Sequence, residues 1–375
     1  MKITLLGTAF PFRGGLAAYN ERLIQQFNKE GHEGNIETFT LQYPNFLFPG
    51  ETQYANWEAP KDLKITESLN SINPFNWIKV GLKIKKQKPD LLIIKYWLPF
   101  MGPAFGTVAR IVKSNKHTQV ISILDNIIPH EKRFGDRIFS KYFVGAVNSF
   151  IGMSQSVLDD LNQFTTEKPR LFSPHPLFDN FGKSVSKTSA AEFLNLPTNQ
   201  KYMLFFGLIR DYKGLDLLLH AMADELLRKK DIKLLVAGEF YSDSKPYFDL
   251  IEKYNLKDRV IMHNKFIPDP EVKYYFGIAD IIVQPYKTAT QSGVTQIAYH
   301  FEKAMLVTNV GGLGEIVPNG KVGFVVEPNP DEIAKSLNEF YDKNLEEQFH
   351  NHILAEKEKY AWSRMTENII KLYQK

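Results

Sequence analysis

Residues 288–317 read TATQSGVTQIAYHFEKAMLVTNVGGLGEIV, a pattern that predicts a loop, a helix, a short buried strand and a glycine turn in that order. The helix is predicted because Val294, Ile297, Ala298 and Phe301 recur at three- and four-residue intervals. A helix followed directly by a buried strand is typical of proteins in which strands and helices alternate.

The start of this helix has the features of an anion-binding site. Ser292 is a good N-cap residue, and Gly293 would allow a ligand to approach the first helical turn closely. The N–H groups of that turn and the positive end of the helix dipole favour an anion such as a diphosphate. Because most capped helices bind nothing, an ordinary capped helix is the alternative that these two residues leave open.

Length and composition describe a globular protein. The 375 residues correspond to about two domains. With 43% hydrophobic and 23% charged residues, the chain belongs to neither the disordered nor the fibrous class. The net charge of +4 is small for this length, so we expect no nucleic-acid partner. The absence of cysteine excludes disulfides, thiolate nucleophiles and cysteine metal sites.

Apolar runs predict no membrane span and no leader peptide. No run reaches about 18 apolar residues, the length that a transmembrane helix needs. The N-terminal residues MKITLLGTAFPF have only a short apolar run without a cleavage site, and they predict a first strand. A cytoplasmic enzyme is therefore expected.

Strands and helices alternate along the first part of the chain. Strands are predicted at residues 2–8, 35–40, 90–96, 119–124 and 149–153, and helices at residues 16–27, 75–86, 104–112 and 137–147. Residues 41–57, rich in proline and aromatic side chains, form a long loop. This order predicts a parallel, doubly wound sheet.

The alternation stops after residue 170 and starts again at Lys201. Residues 171–201 hold Pro174, Pro176 and Pro197 with few periodic apolar positions, which predicts a linker with a short helix. Later strands are predicted at residues 202–208, 232–238, 259–264, 280–286, 305–310 and 322–326, and helices at residues 214–227, 247–254, 271–276, 331–341 and 345–372. Two such α/β domains facing each other would form a cleft at the carboxyl ends of their strands, where these folds bind ligands.

Two loops that follow first strands carry candidate binding residues. Residues 10–15, FPFRGG, place Gly14 and Gly15 before a helix, where a phosphate can approach the backbone, although taken alone they favour a plain tight turn. Residues 206–214, FGLIRDYKG, place Arg210 and Lys213 where the second domain would bind an anion. The alternative for this second loop is a solvated basic turn. Neither loop has the dinucleotide or Walker A pattern.

Taken together, these segments resemble one family. FGLIRDYKGLDLLLHA, LLVAGE, SGV, NVGGLGEIV and GKVGFVVEP are similar to segments of the large retaining nucleotide-sugar glycosyltransferase family with the GT-B fold, family four in the usual classification. The N-terminal FPFRGGLAAYNERLIQQFNKEGHE is similar to that family's glycine loop and first helix. The resemblance covers nearly the whole chain. It implies an α/β protein of two Rossmann-like domains facing across a cleft.

The resemblance also implies where substrates bind. The second domain would hold most of the nucleotide-diphosphate sugar, and the first domain would hold the acceptor, with no required metal or cofactor. The implied boundaries are an acceptor domain over residues 1–176, a linker over 177–200 and a donor domain over 201–355. The final helix, residues 356–375, would pack back on the first domain.

The resemblance assigns roles to individual residues. Arg210 and Lys213 would neutralise the donor diphosphate, and His130, in the segment DNIIPHE, would lie near the transferred sugar unless it is only a capping or core histidine. The remaining implied donor-binding residues are Gly14 and Gly15 from the first domain, Phe266 and Ile267 beside the base, and Ser292, Gly293 and Val294 over the phosphates.

The chain departs from the family at two acidic positions. The family carries two glutamates eight positions apart around this helix, and the corresponding residues here are Ala289 and Ile297. Gln291 and Gln296 are the nearest polar substitutes, since an amide can bond to hydroxyl groups without a negative charge. Glu315, after the Gly-Gly turn, matches a glutamate that the family often has at that place.

A cluster of lysines suggests a further partner. Lys79, Lys83, Lys85, Lys86 and Lys88 lie in one short segment without an acidic residue. They predict either a surface that docks on anionic lipid at the inner face of a membrane or a solvated helix end.

The predicted function is therefore a retaining glycosyltransferase that moves a sugar from a nucleotide-diphosphate sugar to a glycan or lipid-linked acceptor. The missing glutamates leave a catalytically impaired binding subunit as an alternative. A sugar-nucleotide epimerase or hydrolase is the other, and a dehydrogenase is disfavoured because the dinucleotide fingerprint is absent.

Overall fold

The computed structural model describes residues 1–44, 52–55, 58–129, 135–289 and 292–375. Contacts within the chain divide it into two units. The first unit comprises Met1–His175 and Ala361–Lys375, and the second comprises Pro176–Tyr360.

Thirteen strands and fifteen helices are described. The strands are β1 (Lys2–Leu6), β2 (Glu33–Leu41), β3 (Ile65–Asn70), β4 (Leu91–Tyr96), β5 (Gln119–Leu124), β6 (Ser149–Gly152), β7 (Arg170–Phe172), β8 (Lys201–Phe206), β9 (Ile232–Ala237), β10 (Val260–His263), β11 (Ile281–Gln284), β12 (Ala304–Thr308) and β13 (Gly323–Val326). The helices are α1 (Gly15–Lys29), α2 (Pro74–Gln87), α3 (Gly102–Lys113), α4 (Asp136–Ala146), α5 (Gln155–Leu161), α6 (Lys187–Leu194), α7 (Leu215–Met222), α8 (Glu225–Arg228), α9 (Lys245–Lys253), α10 (Asp269–Ile278), α11 (Gly293–His300), α12 (Leu313–Ile316), α13 (Pro330–Asp342), α14 (Glu346–Glu356) and α15 (Trp362–Tyr373).

The first unit is a seven-stranded parallel sheet in the order β3-β2-β1-β4-β5-β6-β7. All six residues of β4 are buried, as expected for a parallel strand with helices on both faces. Val80, Phe105 and Phe143, from α2, α3 and α4, pack on one face. Tyr19 of α1 and Trp362 of α15 pack on the other, so the last helix of the chain is part of this unit.

The second unit is a six-stranded parallel sheet in the order β10-β9-β8-β11-β12-β13. Alternate residues of β8 face opposite sides: Met203 packs with α7, and Leu204 packs with α10 and α11. Pro176 begins this unit, and α6 packs against α10 through Ala190 and Ala191, which are buried. The predicted α/β class with two parallel sheets is confirmed.

Several element predictions need correction. The sequence pattern does not predict β3 or β7, two edge strands: only Leu69 of β3 is buried, and β7 has three residues, none of them buried. The helix predicted over residues 214–227 is two helices, because the side chain of Asp224 accepts a hydrogen bond from the N–H of Leu226 and starts α8. The helix predicted over residues 345–372 is also divided, into α14 and α15.

Candidate active site

The order of strands in the second unit places two loops side by side. The chain leaves β8 toward α7 on one face of the sheet and leaves the neighbouring β11 toward α11 on the other. The topological switch point of the sheet therefore lies at the carboxyl ends of these two strands, which is where open α/β sheets bind ligands. The loop after β8 carries Arg210 and Lys213, and the loop after β11 leads to Ser292.

Glycines hold the two loops against each other. Gly214 has a positive φ of 68°, and a Cβ there would overlap the carbonyl oxygen of Pro285, at the end of β11. Only glycine allows this approach of the two backbones. Gly207, with φ 94°, lies beside the Nζ of Lys213, which is 3.1 Å from the place where a Cβ would stand.

The amine of Lys213 lies next to the start of α11. The Cβ position of Gly207 is 3.1 Å from the Nζ of Lys213 and 3.8 Å from a methyl group of Val294, so both atoms border the same point. Lys213 Nζ also lies 5.6 Å from the ring centre of Tyr286. The hydroxyl of Tyr286 is 3.2 Å from the Oγ of Ser292, which connects this tyrosine to the helix cap.

The start of α11 is a well-formed cap, as the sequence predicts. The Oγ of Ser292 accepts a hydrogen bond from the N–H of Val294 at 3.2 Å. The hydroxyl of Thr295 donates to the carbonyl of Ser292 at 2.5 Å and fixes the turn from the other side. The first-turn N–H groups and the helix dipole therefore present partial positive charge at a rigid position.

Two positive side chains of the loop after β8 lack acidic partners. Within the described part of the chain, neither Arg210 nor Lys213 forms a salt bridge, whereas Lys287 in the adjacent loop is paired with Asp211 at 2.8 Å and Asp216 at 2.9 Å. Arg210 lies over the ring of Tyr241 at 5.0 Å instead. An unpaired cation beside a helix N-terminus, as Lys213 is, is suited to binding an anion with several oxygens.

Burial lowers the pKa of Lys213, and the positive charge of nearby Arg210 lowers it further, while Tyr212 acts in the opposite direction. Desolvation favours the neutral amine, so an anion that enters the site gains an interaction with a charge that the protein itself does not satisfy. The lowered pKa supports a binding or catalytic role for this lysine.

We expect this lowered pKa to limit activity at alkaline pH. As pH rises through the pKa of Lys213, the amine loses its proton and its attraction for an anionic substrate, so kcat/KM falls. In a Lys213→Arg variant, which stays charged, the decline should move to higher pH or disappear. A pH profile of kcat/KM for both proteins tests this expectation, and identical profiles would contradict it.

Packing requires glycine at position 293, a constraint that the sequence did not reveal. A Cβ at this position would lie 2.8 Å from the ring of Phe178, closer than real Cβ contacts occur. The glycine is therefore needed for packing of the helix start against Phe178, whether or not a ligand approaches the same turn.

The other predicted donor-binding residues differ in their solvent exposure. Phe266 is 43% exposed and Ile267 only 6%, so of these two side chains only the ring of Phe266 is accessible to a ligand. Glu315 is exposed in the first turn of α12. Gln296 is fully buried with no hydrogen-bond partner for its amide among the described residues, so its side chain is not accessible to the hydroxyl groups of a donor. His130 and Gln291 lie outside the described residues.

The predicted glycine loop belongs to the first unit. Gly14 has a φ of 104° and precedes α1, which begins at Gly15. A Cβ at Gly14 would meet no atom within 4 Å, so the backbone conformation and not crowding requires glycine here. This loop follows β1 and lies beside β4, at the switch point of the first sheet.

A buried charged pair near this switch point was not predicted from the sequence. Lys95 of β4 is 2% exposed, and its Nζ lies 2.7 Å from a carboxylate oxygen of Asp125, just after β5. The same amine lies 3.5 Å above the ring of Tyr19. Burial lowers the pKa of Lys95, and Asp125 partly opposes this. The feature of the sequence that could have predicted this pair is a lysine inside the apolar strand LLIIKY.

The five lysines of residues 79–88 differ in exposure and in ion pairing. Lys83 forms a salt bridge at 2.7 Å with Glu37, which is 1% exposed on β2, so its charge is neutralised from within the unit. Lys79, Lys86 and Lys88 are exposed.

Within the described ranges, no helix is long and apolar enough to cross a bilayer, and no group of three potential ligands could hold a metal ion.

Comparison with known proteins identifies related sequences. Residues 186–359 match the family model described as glycosyl transferases group 1. The chain is 27% identical over 392 aligned positions to the uncharacterized glycosyltransferase MJ1607 of Methanocaldococcus jannaschii, with 100% of this chain and 98% of that protein covered.

Solved structures are similar over the same length. Sucrose-phosphate synthase from Thermosynechococcus elongatus gives a TM-score of 0.76 at 16% identity, covering 100% of this chain and 98% of the other. HepE from Anabaena, solved in complex with UDP-glucose, gives 0.72 at 15% identity, with 99% of each chain covered. These identities are low, so the structural comparisons concern the fold.

Proposed function

We propose that this chain, a glycosyltransferase with the GT-B fold whose residues 186–359 belong to glycosyl transferases group 1, transfers a sugar from a nucleotide-diphosphate sugar to a glycan or lipid-linked acceptor. One observation carries the proposal: Arg210 and Lys213, which have no acidic partner within the described residues, lie in the loop beside the capped start of α11. UDP-glucose, bound to the structurally similar HepE, is a donor of this class.

The proposed mechanism follows from the charge that the reaction produces. Breaking the bond between sugar and diphosphate places negative charge on the departing phosphate oxygens. Arg210, Lys213 and the first-turn N–H groups of α11 are already positioned and need no reorganisation, so they stabilise that charge in the transition state. One such donor contributes about 3 kcal/mol, which corresponds to roughly a hundredfold in rate.

We also propose that the reaction retains the configuration of the sugar. The family resemblance implies retention: the acceptor hydroxyl bonds to the anomeric carbon from the face that the diphosphate leaves, without a protein nucleophile, and its proton passes to a departing phosphate oxygen. Ala289 and Ile297, where the family has glutamates, cannot act as acids or nucleophiles. Glu315, exposed in α12, is the carboxylate that we assign to the hydroxyl groups of the donor sugar.

A thermal-shift panel of nucleoside diphosphates and nucleotide sugars tests donor binding. A ligand at about 100 times its dissociation constant stabilises the protein by about 2.7 kcal/mol, and we expect at least one member of the panel to raise Tm accordingly. The same ligand should give a smaller shift with Lys213→Ala.

Turnover assays then separate the alternatives. Sugar transfer that requires an added acceptor supports the transferase. Binding without turnover across a panel of acceptors would indicate an impaired binding subunit. The two missing glutamates are the reason for considering this alternative. Release of the nucleoside diphosphate without any acceptor would indicate a hydrolase or epimerase.

We further propose that the first unit docks on the cytoplasmic face of a membrane, where a lipid-linked acceptor would be found. On α2, Phe75 is 85% exposed, Ile78 46% and Leu82 53%, with Lys79 and Lys86 exposed on the same helix. Apolar residues that enter the lipid interface, flanked by lysines that attract anionic headgroups, are the features of an interfacial helix.

The layer formed by α2, α3 and α4 extends this surface. α2 and α4 both pack against α3 on one face of the first sheet. Ile138 of α4 is 67% exposed, beside the exposed Arg137 and Lys141. The combination of apolar and basic side chains therefore occurs on two helices of the same layer.

Vesicle co-sedimentation tests this docking. We expect binding to phosphatidylserine-containing vesicles and not to phosphatidylcholine alone, with Phe75→Ser weakening it about tenfold through lost apolar contact. Lys79→Glu should weaken binding further, and salt should screen the effect. Phe248→Ser, at a phenylalanine 42% exposed in the second unit, is the matched control. Binding that ignores lipid charge and is equal in all variants would refute the proposal.

A further inference from the structure

Lys287, in the loop after β11, is joined to the loop after β8 and to the helix that follows it. Its Nζ lies 2.8 Å from a carboxylate oxygen of Asp211 and 2.9 Å from one of Asp216, in the first turn of α7. Its main-chain N–H donates to the carbonyl oxygen of Tyr212 at 2.7 Å. The two loops at the switch point of this sheet are therefore connected through one lysine.

The acidic and basic groups of this region lie toward different faces of the sheet. Asp211 and Asp216 border a groove beside Tyr247, which packs with α7 on one face. The amine of Lys213 borders Val294, at the start of α11 on the other face. Since Asp211 is only two positions from Lys213 in the chain, this separation needs a physical cause.

The two aspartates differ in how firmly they are held. The side chain of Asp216 is 28% exposed, and one of its oxygens is buried without a hydrogen-bond partner among the described residues, so Lys287 supplies the partner of the other oxygen. The side chain of Asp211 is 80% exposed, and such a side chain can rotate when its partner is removed. Asp216 therefore anchors the amine of Lys287, and that amine in turn holds Asp211.

A released Asp211 carboxylate would be attracted to the amine of Lys213. Asp211 and Lys213 belong to the same short turn, Asp211–Lys213, and the amine is partly desolvated, which strengthens its attraction for any nearby carboxylate. A carboxylate paired with Lys213 would neutralise the charge that a diphosphate requires. The pair between Lys287 and Asp211 prevents this neutralisation.

We propose that Lys287 is a positioning residue of the donor site: anchored by Asp216, it holds the carboxylate of Asp211 away from Lys213 and so keeps the amine of Lys213 available to the donor diphosphate. Lys287 acts through Lys213 and needs no contact with the donor. The identity of the anion rests on the function proposed above, whereas the separation of the charges is a property of the chain without ligand.

Three variants test this role. Lys287→Met removes the amine and keeps the apolar stem, Lys287→Arg keeps a cation, and Lys287→Met/Asp211→Asn also removes the released carboxylate. Lys245→Met is the matched control, because it breaks another exposed lysine–aspartate pair of the same unit, with Asp249 at 2.7 Å. Lys287 is 31% exposed, so the loss of its pairs should lower Tm by only a few degrees and leave the variants folded.

The first measurement uses the full chain without ligand. Competitive acetylation with acetic anhydride over a range of pH, read by mass spectrometry, gives the pKa of the Lys213 amine. We expect this pKa to rise in Lys287→Met, because the released carboxylate favours the charged amine, and to return toward the wild-type value in Lys287→Met/Asp211→Asn. Lys287→Arg and Lys245→Met should leave it unchanged.

The second measurement is calorimetry with UDP, GDP and ADP. For the nucleoside diphosphate that binds the wild-type chain most tightly, we expect Kd to rise about tenfold in Lys287→Met and to recover to within about threefold in Lys287→Met/Asp211→Asn. Kd should stay near the wild-type value in Lys287→Arg and Lys245→Met. Recovery on removal of a second side chain distinguishes the proposed role from general damage to the loop.

An unchanged pKa of Lys213 in Lys287→Met would overturn the proposal, since it would mean that no carboxylate reaches the amine. A raised pKa or a weakened Kd that persists in Lys287→Met/Asp211→Asn would also overturn it and would assign Lys287 to packing of the loop. If the wild-type chain bound none of the three diphosphates, the function proposed above would be contradicted, while the acetylation result would still decide the role of Lys287.

Discussion

Replacing Lys213 with alanine is expected to lower turnover roughly a hundredfold or more while the protein remains folded. The amine borders the start of α11, has no acidic partner in the described chain, and has a pKa lowered by burial. Its charge is therefore available for a diphosphate whose negative charge increases during bond breaking. Steady-state kinetics with saturating acceptor measure the effect as a fall in kcat as well as in kcat/KM.

Stability measurements distinguish this role from a structural one. A half-buried, partly desolvated cation without an acidic partner costs free energy of folding, so Lys213→Ala should leave Tm unchanged or raise it. Lys335→Ala, an exposed lysine of the same unit, should leave both turnover and Tm near wild-type values. If Lys213→Ala were unstable yet retained near-normal turnover, the amine would be a packing group and the assigned catalytic role would be wrong.

The loop after β8 could be predicted from sequence because its chemistry is local. Arg210 and Lys213 are the only cations in the loop between β8 and α7, which are consecutive in the chain. The position of this loop, at the carboxyl end of a strand, indicates the edge of the sheet where ligands bind. The cap at Ser292 is local for the same reason. The partners of these residues are not local: Tyr286 lies beside Lys213, although more than seventy positions separate them.

The burial of side chains and their ion pairing were harder to predict from the sequence. Gln296 follows the helix start and looks available, but the helix turns it into the protein, where it is 0% exposed. Lys83 appears to belong to a free lysine cluster, yet Glu37, from a strand forty-six positions earlier, neutralises it. The edge strand β3 lacks the continuous apolar run of a central strand, so its pattern does not distinguish it from a loop.

Replacing Lys95 with methionine is expected to destabilise the first unit by about 3 kcal/mol, because it leaves the carboxylate of Asp125 without its buried cation. The amine and the carboxylate are 2.7 Å apart, with side-chain exposures of 2% and 20%. The partial exposure of Asp125 puts the loss at the lower end of the range for broken buried pairs. Differential scanning calorimetry should show a Tm lower by several degrees.

A double variant shows whether the cost comes from the unpaired charge. In Lys95→Met/Asp125→Leu both charges are absent, and replacing a buried pair by apolar groups is often neutral, so most of the lost stability should return. The amine also lies 3.5 Å above the ring of Tyr19, on the helix that follows the Gly14 loop. If the double variant recovers stability but not turnover, the pair positions α1 and its glycine loop for the reaction. If Lys95→Met alone leaves Tm unchanged, the pair contributes nothing to the fold, and the expectation is wrong.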